Sequence, residues 1–478
     1  MNDKEIIENL LKVQNDTPDF SQRNQFTKED YYTLLNDVKE VLKDNKDLSL
    51  SELRYKLYEK SNLEKKLKDF FLINKKAPGA VISFGTDYLT QKIVIGNKEE
   101  VNDGKINIKE MEEDTIFDLA SLTKMFTSIS ILQLAGRGEL IISDSIKKYL
   151  PNFKNLGNHT IYDLLTFQPY YTEKRIDSAK TIEEAEEILF KAKPYDNNTL
   201  ILKDRYNDIA PMILKYIVEK VSNMTFEEYI KENILEKANM NHTFVNIPNS
   251  LKDKVANFNY NYEIDKDGNI LVRDKIEKGI SSDSKAVALG QPLGHLSGHA
   301  GLFSTNDDLV SLSKGLINSD VLHIELTKEM SKNRTINLYA NYKGIIYPQC
   351  YGFLVYSKSP YKKYSEVYSP LSGSTFSSQG WTGTSITVDP INKINLVYLS
   401  NRIHNRIISN ASNKENHDII DSTKYNYERK QITNACLKLA LEEKILEDII
   451  GKNIEKEKKL IKIKSWYYTK YQLYYIIF

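Results

Sequence analysis

A serine and a lysine stand three positions apart in FDLASLTKMFTSISILQLAGRG, residues 117–138, a stretch that is otherwise mostly apolar or small. Three residues along a helix return to the same face, so the side chains of Ser121 and Lys124 can meet. Burial and the positive end of the helix dipole both disfavour a charged Lys124. A neutral amine would take the Ser121 proton and make the hydroxyl a nucleophile, while a backbone N–H at the helix start faces the oxyanion.

The Ser-x-x-Lys pattern alone is weak evidence, because it recurs at Ser145, Ser282, Ser311 and Ser359. Those copies lie in polar surroundings, where we expect the lysine to be solvated. At Ser121 the alternative interpretation is a structural lysine that extends past the helix end to water. A nearby carboxylate would oppose the two effects and keep the ammonium charged.

A second candidate element is DRYNDIAPMILKY, which places Tyr206 and Asp208 just before a predicted helix. Asp208 is a natural N-cap, and Pro211 fits the first turn. A tyrosine hydroxyl held at a helix start can relay a proton to a leaving group. Asp208 can also hydrogen-bond Lys124 or orient Tyr206.

The third element is TFSSQGWTGTSITVDP, residues 375–390, a strand pattern interrupted by Gly380 and Gly383. Such glycines mark close approach of backbone or ligand, and a strand edge offers backbone groups to an extended acyl substrate. The alternative is a pair of bulges in a bent strand. His295 and His299 in GHLSGHAG have metal-like spacing, but glycines indicate a loop and no carboxylate or cysteine completes a zinc set, so we predict no metal site.

Composition limits the classes of function. Lys and Arg number 66 against 65 Asp and Glu, a net charge of +1 that gives no reason to expect a nucleic-acid partner. Two cysteines, Cys350 and Cys436, cannot build a disulfide framework. The charged start MNDKEIIENLLKVQND lacks the features of a secretory signal, and no apolar run is long enough to span a bilayer, which predicts a cytoplasmic location.

The element pattern predicts three parts. Residues 1–62 read as a helical extension with a capping box at SLSE, residues 49–52, and residues 63–445 as the main domain. The simplest interpretation of the extension is a solvated arm that packs loosely on the main domain. Hairpin patterns at AVISFG with TQKIVIGN and at TSITVDPINKINLVYLSN predict that the two ends build one antiparallel sheet, with a mostly helical lobe between them. This is an α+β fold. Residues 446–478 form a basic-aromatic tail, for which a frayed end is favoured over membrane contact.

Together these motifs resemble the serine β-lactamases of class C type and the related penicillin-binding proteins, carboxypeptidases and esterases. FDLASLTK looks like the first family motif, YND like Tyr-x-Asn in its Tyr-Ser-Asp form, and SSQGWTGTSITVDP occupies the place of the third. SGHAGLFSTNDDL, residues 297–309, is similar to a glycine-rich family segment, which gives His299 a site-wall or structural role. The resemblance covers roughly residues 63–445.

The resemblance implies a sheet flanked by helices with the site beside a helical lobe. It implies Ser121 as nucleophile, Lys124 as its base and Tyr206 as proton relay, with the N–H groups of Ser121 and Trp381 as oxyanion hole. Asp208, Ser378, Gln379 and Gly380 complete the predicted substrate-binding residues. No metal or organic cofactor is implied.

One departure affects the substrate. The third motif reads Ser378-Gln379-Gly380, whereas the family has Lys or His at the first position. A cation there holds a substrate carboxylate by a charge-assisted bond that serine cannot make. We therefore predict a serine hydrolase that acts through an acyl-enzyme on an ester, amide or D-amino-acid or peptide substrate, with cell-wall material as one source. The alternatives are a penicillin-binding D-alanyl carboxypeptidase or transpeptidase in the cell envelope, and a non-catalytic sensor that keeps the fold. The sequence does not predict an oligomeric state.

Overall fold

The computed structural model describes residues 28–45, 48–102, 105–195, 201–202, 205–258, 262–264, 270–272, 277–335, 338–342, 345–359, 365–405, 407–408, 419–420 and 422–450. It confirms the predicted α+β class, an antiparallel sheet flanked by helices.

The described residues form eighteen strands and twelve α-helices. The strands are β1 (Gly79–Thr86), β2 (Thr90–Asn102), β3 (Lys105–Glu110), β4 (Phe117–Asp118), β5 (Tyr170–Tyr171), β6 (Lys193–Pro194), β7 (Ile201–Leu202), β8 (Tyr262–Ile264), β9 (Ile270–Val272), β10 (Phe303–Ser304), β11 (Tyr339–Tyr342), β12 (Ile345–Pro348), β13 (Tyr356–Ser357), β14 (Phe376–Gln379), β15 (Ser385–Asp389), β16 (Ile394–Ser400), β17 (Ile407–Ile408) and β18 (Ile419–Ile420). The α-helices are α1 (Lys28–Asp44), α2 (Leu50–Lys60), α3 (Leu63–Leu67), α4 (Thr123–Gly136), α5 (Ile161–Leu165), α6 (Ile182–Phe190), α7 (Ile209–Ser222), α8 (Phe226–Ile230), α9 (Ser284–Ala288), α10 (Asn306–Ile317), α11 (Ile324–Ser331) and α12 (Ser422–Ile450).

The central sheet has seven strands in the order β13-β14-β15-β16-β1-β2-β3, and every neighbouring pair is antiparallel. The two hairpins read from the sequence are present as β1–β2 and β15–β16. Pairing of β1 with β16, with Ala80 opposite Ser400, joins the two ends of the chain in one sheet as predicted.

Each face of the sheet covers a separate apolar core, because successive strand residues point to opposite faces. On β1, Val81 lies in the core shared with α4, α7 and the rest of the helical lobe. Ile82 and Phe84 lie in a second core that includes residues of α1, α2 and α12. The sheet therefore separates the lobe from a layer built from the two chain ends.

The N-terminal helices are part of that second core. The predicted capping box is present at Ser49 and Glu52, at the start of α2. Leu34 and Leu57 are each 2% exposed and belong to the same apolar cluster as Tyr398 of β16. The expectation of loose packing is therefore wrong for the part of residues 1–62 that the structure describes.

At the other end, α12 runs to Ile450, five residues into the predicted tail 446–478. Residues 451–478 lie outside the described residues. Within the described part of the chain, no helix combines the length and the apolar character needed to cross a membrane.

Candidate active site

Ser121 lies at a sharp connection from strand to helix. β4 ends at Asp118, a 3-10 turn covers Ala120–Leu122, and α4 begins at Thr123. Ala120 has φ 46°, a left-handed conformation that costs a non-glycine residue about 1–2 kcal/mol. The Asp118 carboxylate accepts the Ala120 N–H at 2.8 Å and thereby stabilises the turn. The half-buried Ser121 is thus presented at the amino end of a helix, where backbone N–H groups lack helical partners.

The structure brings Lys124 and Ser121 together on one face of this connection. The Lys124 ammonium donates a hydrogen bond to Ser121 Oγ at 2.7 Å. Lys124 is 1% exposed, so it does not extend to water. The alternative of a solvated structural lysine is excluded by this burial.

The start of α7 supplies the partners of Lys124. Asp208 Oδ1 lies 2.8 Å from Lys124 Nζ, and the Tyr206 ring centroid lies 4.7 Å from the same nitrogen. Asp208 occupies the N-cap position but makes no side-chain cap. Instead, the Asn207 side-chain oxygen accepts the Ala210 N–H at 2.9 Å, which leaves the Asp208 carboxylate available for Lys124.

Lys124 is an ammonium in this arrangement. Burial alone would lower its pKa, but the charge of Asp208 and hydrogen bonding to Asp208 and Tyr206 raise it above the usual value. Of the two charge states that the sequence leaves open for Lys124, the raised pKa favours the ammonium, and the opposing carboxylate is Asp208. Burial likewise acts to raise the pKa of Asp208, and the charges of Lys124, His299 and Lys285 outweigh it and hold that pKa below the usual range.

A second lysine also contacts Asp208. The sequence predicts a solvated Lys285, as in the other copies of Ser-x-x-Lys, and this prediction is wrong. Its side chain is only 31% exposed, and its Nζ lies 3.2 Å from Asp208 Oδ2. Lys285 Nζ also lies 3.6 Å from Asp283 Oδ2. Nothing in the local pattern around α9 indicates this pairing, because it depends on where α9 packs.

His299 connects this charged group to the glycine-rich segment. Its Nε2 lies 3.0 Å from Asp283 Oδ1, its Nδ1 lies 2.9 Å from Ser297 Oγ, and its side chain is fully buried. Gly298 has φ 80°, and a Cβ there would stand 2.5 Å from the Pro211 carbonyl oxygen of α7. His299 therefore has the structural role expected of a site wall.

Asp208, Asp283 and His299 are the one group among the described residues whose donor atoms lie close enough, within 4.8 Å of one another, to hold a metal ion. Both carboxylates already contact the Lys285 ammonium, and Asp208 also contacts Lys124. A cation would have to enter beside two ammonium groups, so this donor set does not favour a metal.

The loop after β14 closes the other side of the site. A Cβ on Gly380 would lie 2.2 Å from the Leu119 carbonyl oxygen, so only glycine fits against the Ser121 connection. Thr382 Oγ1 donates to the Asp118 carbonyl oxygen at 2.6 Å. These two contacts hold the backbone of Trp381, which lies between them in sequence, against the connection that carries Ser121.

The other two residues of the third motif point in different directions. Ser378 is 4% exposed and shares the strand face of Phe376, which packs in the core of the helical lobe. The Gln379 side chain donates to Glu366 at 2.8 Å and accepts from Arg429 of α12 at 3.1 Å. Gln379 is thus held on the α12 side, away from Lys124.

Comparisons with known proteins identify related sequences. A family model described as Beta-lactamase matches residues 75–411. A protein of Escherichia coli (strain K12), with the assigned name D-alanyl-D-alanine carboxypeptidase, is 27% identical over 331 residues, 63% of this chain and 72% of its own. The N-acetylmuramyl-L-alanine amidase of Bacillus subtilis (strain 168) is 26% identical over 368 residues, 70% of this chain and 80% of its own.

Solved structures share the fold. The octameric penicillin-binding protein homologue from Pyrococcus abyssi has a TM-score of 0.51 at 22% identity and covers 71% of this chain and 72% of its own. EstCE1, a hydrolase with promiscuous acyltransferase activity, has a TM-score of 0.57 at 17% identity and covers 79% of this chain and 100% of its own. The matched residues 75–411 span most of this chain and include the Ser121 connection, the start of α7 and the β14 loop. The chain therefore belongs to the beta-lactamase family of serine hydrolases.

Proposed function

We propose that Ser121 forms an acyl-enzyme with an ester or amide substrate. Ser121 Oγ attacks the carbonyl carbon, the bond to the leaving group breaks, and water then hydrolyses the acyl-serine. The observation that carries this proposal is the buried contact of Lys124 Nζ with both Ser121 Oγ, at 2.7 Å, and Asp208 Oδ1, at 2.8 Å.

The charged state of Lys124 decides its role. As an ammonium it cannot accept the Ser121 proton; it orients Ser121 Oγ and stabilises the negative charge that develops there. Tyr206, which adjoins the same ammonium, is the proposed relay. Its hydroxyl takes the Ser121 proton as it passes its own proton to the leaving oxygen or nitrogen, so neither Tyr206 nor Lys124 changes its net charge.

The proposed oxyanion hole is formed by the backbone N–H groups of Ser121 and Trp381. Ser121 stands at the start of α4, where N–H groups and the helix dipole favour a negative charge. Gly380 and Thr382 both contact the Ser121 connection. These contacts support a position for the Trp381 N–H across the site from the start of α4.

The proposed acyl donor carries no free carboxylate at the position that the family's third motif recognises. Ser378 offers only a neutral hydroxyl, and the two nearby ammonium groups of Lys124 and Lys285 already face two carboxylates, Asp208 and Asp283. Esters and amides, including those of D-amino acids and of cell-wall peptides, satisfy this condition. The names of the carboxypeptidase and amidase relatives favour a peptidoglycan source.

Labelling with a fluorescent fluorophosphonate tests the nucleophile. We expect the native chain to be labelled, the label to be lost in Ser121→Ala, and the label to persist in Ser311→Ala, a matched change in another Ser-x-x-Lys copy. Labelling that survives in Ser121→Ala would show that another residue is the nucleophile. A folded native chain that no serine-directed probe labels would favour the non-catalytic sensor.

A second comparison tests the substrate class. At equal concentration, we expect the rate of hydrolysis of an acetyl-D-alanyl methyl ester to exceed the rate of acylation by benzylpenicillin. Benzylpenicillin carries a free carboxylate, whereas the ester does not. Rapid penicillin acylation together with release of D-alanine from a D-alanyl-D-alanine peptide would favour the carboxypeptidase alternative.

A further inference from the structure

Trp381 exposes an unusually large aromatic surface in the loop that packs against the Ser121 connection. Its side chain is 49% exposed, although tryptophan is normally well buried. The flanking residues fix its backbone: Gly380 fits closely against the Leu119 carbonyl oxygen, and Thr382 Oγ1 donates to the Asp118 carbonyl oxygen at 2.6 Å. The backbone of Trp381 is therefore fixed close to the Ser121 connection, and nearly half of its side chain is open to solvent.

The Arg402 side chain packs against the indole of Trp381 and restricts its movement. The Arg402 guanidinium carbon lies 4.7 Å from the Trp381 ring centroid, and Arg402 Nε donates to the Trp381 carbonyl oxygen at 3.0 Å. The same guanidinium lies 4.8 Å from the ring centroid of Tyr425, on α12, which is 1% exposed. Arg402 is itself 5% exposed and lies between two rings, so it supports the indole and does not reach the substrate.

A ring fixed in this way loses little conformational entropy when a ligand stacks on its open surface. The ammonium groups of Lys124 and Lys285 already contact the carboxylates of Asp208 and Asp283. The exposed indole of Trp381 is therefore a surface that can recognise an uncharged part of the substrate. Indole surfaces bind the flat faces of aromatic rings and the C–H faces of sugars.

We propose that Trp381 is a specificity-determining residue whose indole stacks on a ring, aromatic or pyranose, carried by an uncharged acyl substrate. This inference rests on the proposed function, because it assumes that acylation occurs at Ser121. It goes beyond that function in naming the part of the substrate that the enzyme selects.

Matched ester pairs test the preference. Methyl phenylacetate against methyl butyrate places the ring in the acyl part, and benzyl acetate against butyl acetate places it in the alcohol. We expect the ring-bearing ester of at least one pair to have the higher kcat/KM, and Trp381→Ala to reduce that advantage roughly 3- to 10-fold. Trp381→Phe should keep most of it, and Tyr55→Ala, a change at an aromatic residue of α2 that is 39% exposed, should leave it unchanged. The absence of a ring preference in the native enzyme, or a preference unaltered in Trp381→Ala, overturns the inference.

Fluorescence separates this inference from the proposed function. The chain has two tryptophans, Trp381 and Trp466, so Trp466→Phe leaves one reporter. In Ser121→Ala, Trp466→Phe we expect saturable changes in indole emission with methyl phenylacetate, with N-acetylglucosamine, or with both, and the responding arm identifies the kind of ring. If neither probe changes the indole emission, the proposed stacking on Trp381 is overturned. Emission changes together with ester hydrolysis that persists in Ser121→Ala would instead overturn the proposed function alone.

Discussion

At the scale of single residues, Asp208 controls the charge of the candidate site. Each of its carboxylate oxygens contacts a different ammonium, Lys124 at 2.8 Å and Lys285 at 3.2 Å. Burial acts to lower the pKa of Lys124, but the charge of Asp208, the neighbouring Tyr206 and the hydrogen bonds to both together raise it. Asp208 is the carboxylate among these partners, so the charge of the buried lysine depends strongly on it.

The change Asp208→Asn tests that statement. Without the carboxylate, burial dominates and the pKa of Lys124 falls. If the ammonium is the working form, the alkaline loss of activity moves to lower pH, and kcat/KM at neutral pH drops about 10²-fold because Lys124 loses its anchor. The pH profile of ester hydrolysis measures both effects. Activity that instead rises with pH, and rises earlier in the variant, would show that Lys124 works as a neutral base.

Replacement of Lys285 should act in the opposite direction. Lys285→Met removes a competing ammonium, so Asp208 interacts more strongly with Lys124 and the pKa of Lys124 rises. We expect the alkaline limb to move to higher pH while kcat/KM falls roughly 10-fold, because one charge-assisted bond to Asp208 is lost. Lys191→Met, at a lysine that is 68% exposed, is the matched control and should change neither. A shift in the same direction as Asp208→Asn would contradict the shared-carboxylate arrangement.

At the scale of elements, the site depends on how closely the β14 loop approaches the Ser121 connection. In Gly380→Ala the new Cβ would lie 2.2 Å from both the Leu119 carbonyl oxygen and Thr384 Oγ1, so the loop must move away. We expect kcat/KM to fall about 10²- to 10³-fold, as for loss of an oxyanion donor. Circular dichroism should show a folded protein. Gly138→Ala, where a Cβ meets nothing within 4 Å but φ is 75°, should lose some stability to backbone strain and retain activity. An active Gly380→Ala would remove the loop from the proposed oxyanion hole.

The local sequence pattern predicts those elements whose stabilising residues lie within the same short segment. The hairpins β1–β2 and β15–β16 and the capping box of α2 follow from alternation, turn residues and the Ser49–Glu52 spacing. The contact of Ser121 with Lys124 also follows from helical geometry. Lys285 could not be found in this way, because its partner is 77 positions earlier in sequence and only the packing of α9 near α7 brings the two together. The sequence leaves the charge of Lys124 open for the same physical reason, because its partner Asp208 belongs to a different element.

At the scale of the whole molecule, the two chain ends and the sheet share a buried polar contact. Glu443 of α12 pairs with Arg54 of α2, and their side chains are 1% and 3% exposed. Gln91 of β2 donates to the same carboxylate. The apolar cluster around them contains residues of α1, α2, β1, β16 and α12. Residues of the N-terminal extension and of the sheet pack in this one core. The predicted boundary at residue 62 therefore separates two sequence patterns but not two separately packed parts.

We expect the layer formed by the two chain ends to unfold cooperatively with the sheet. Arg54→Met leaves Glu443 buried without its cation, which should cost about 3–5 kcal/mol in the free energy of unfolding, whereas the double change Arg54→Met, Glu443→Met should cost less because no buried charge remains. Lys56→Met, which breaks an exposed pair on the same helix, should leave the urea midpoint unchanged. Because the extension completes the second core, loss of ester hydrolysis and loss of helical signal should follow one urea transition in every variant. Hydrolysis that persists after α1 and α2 have unfolded would show instead that residues 63–445 fold without them.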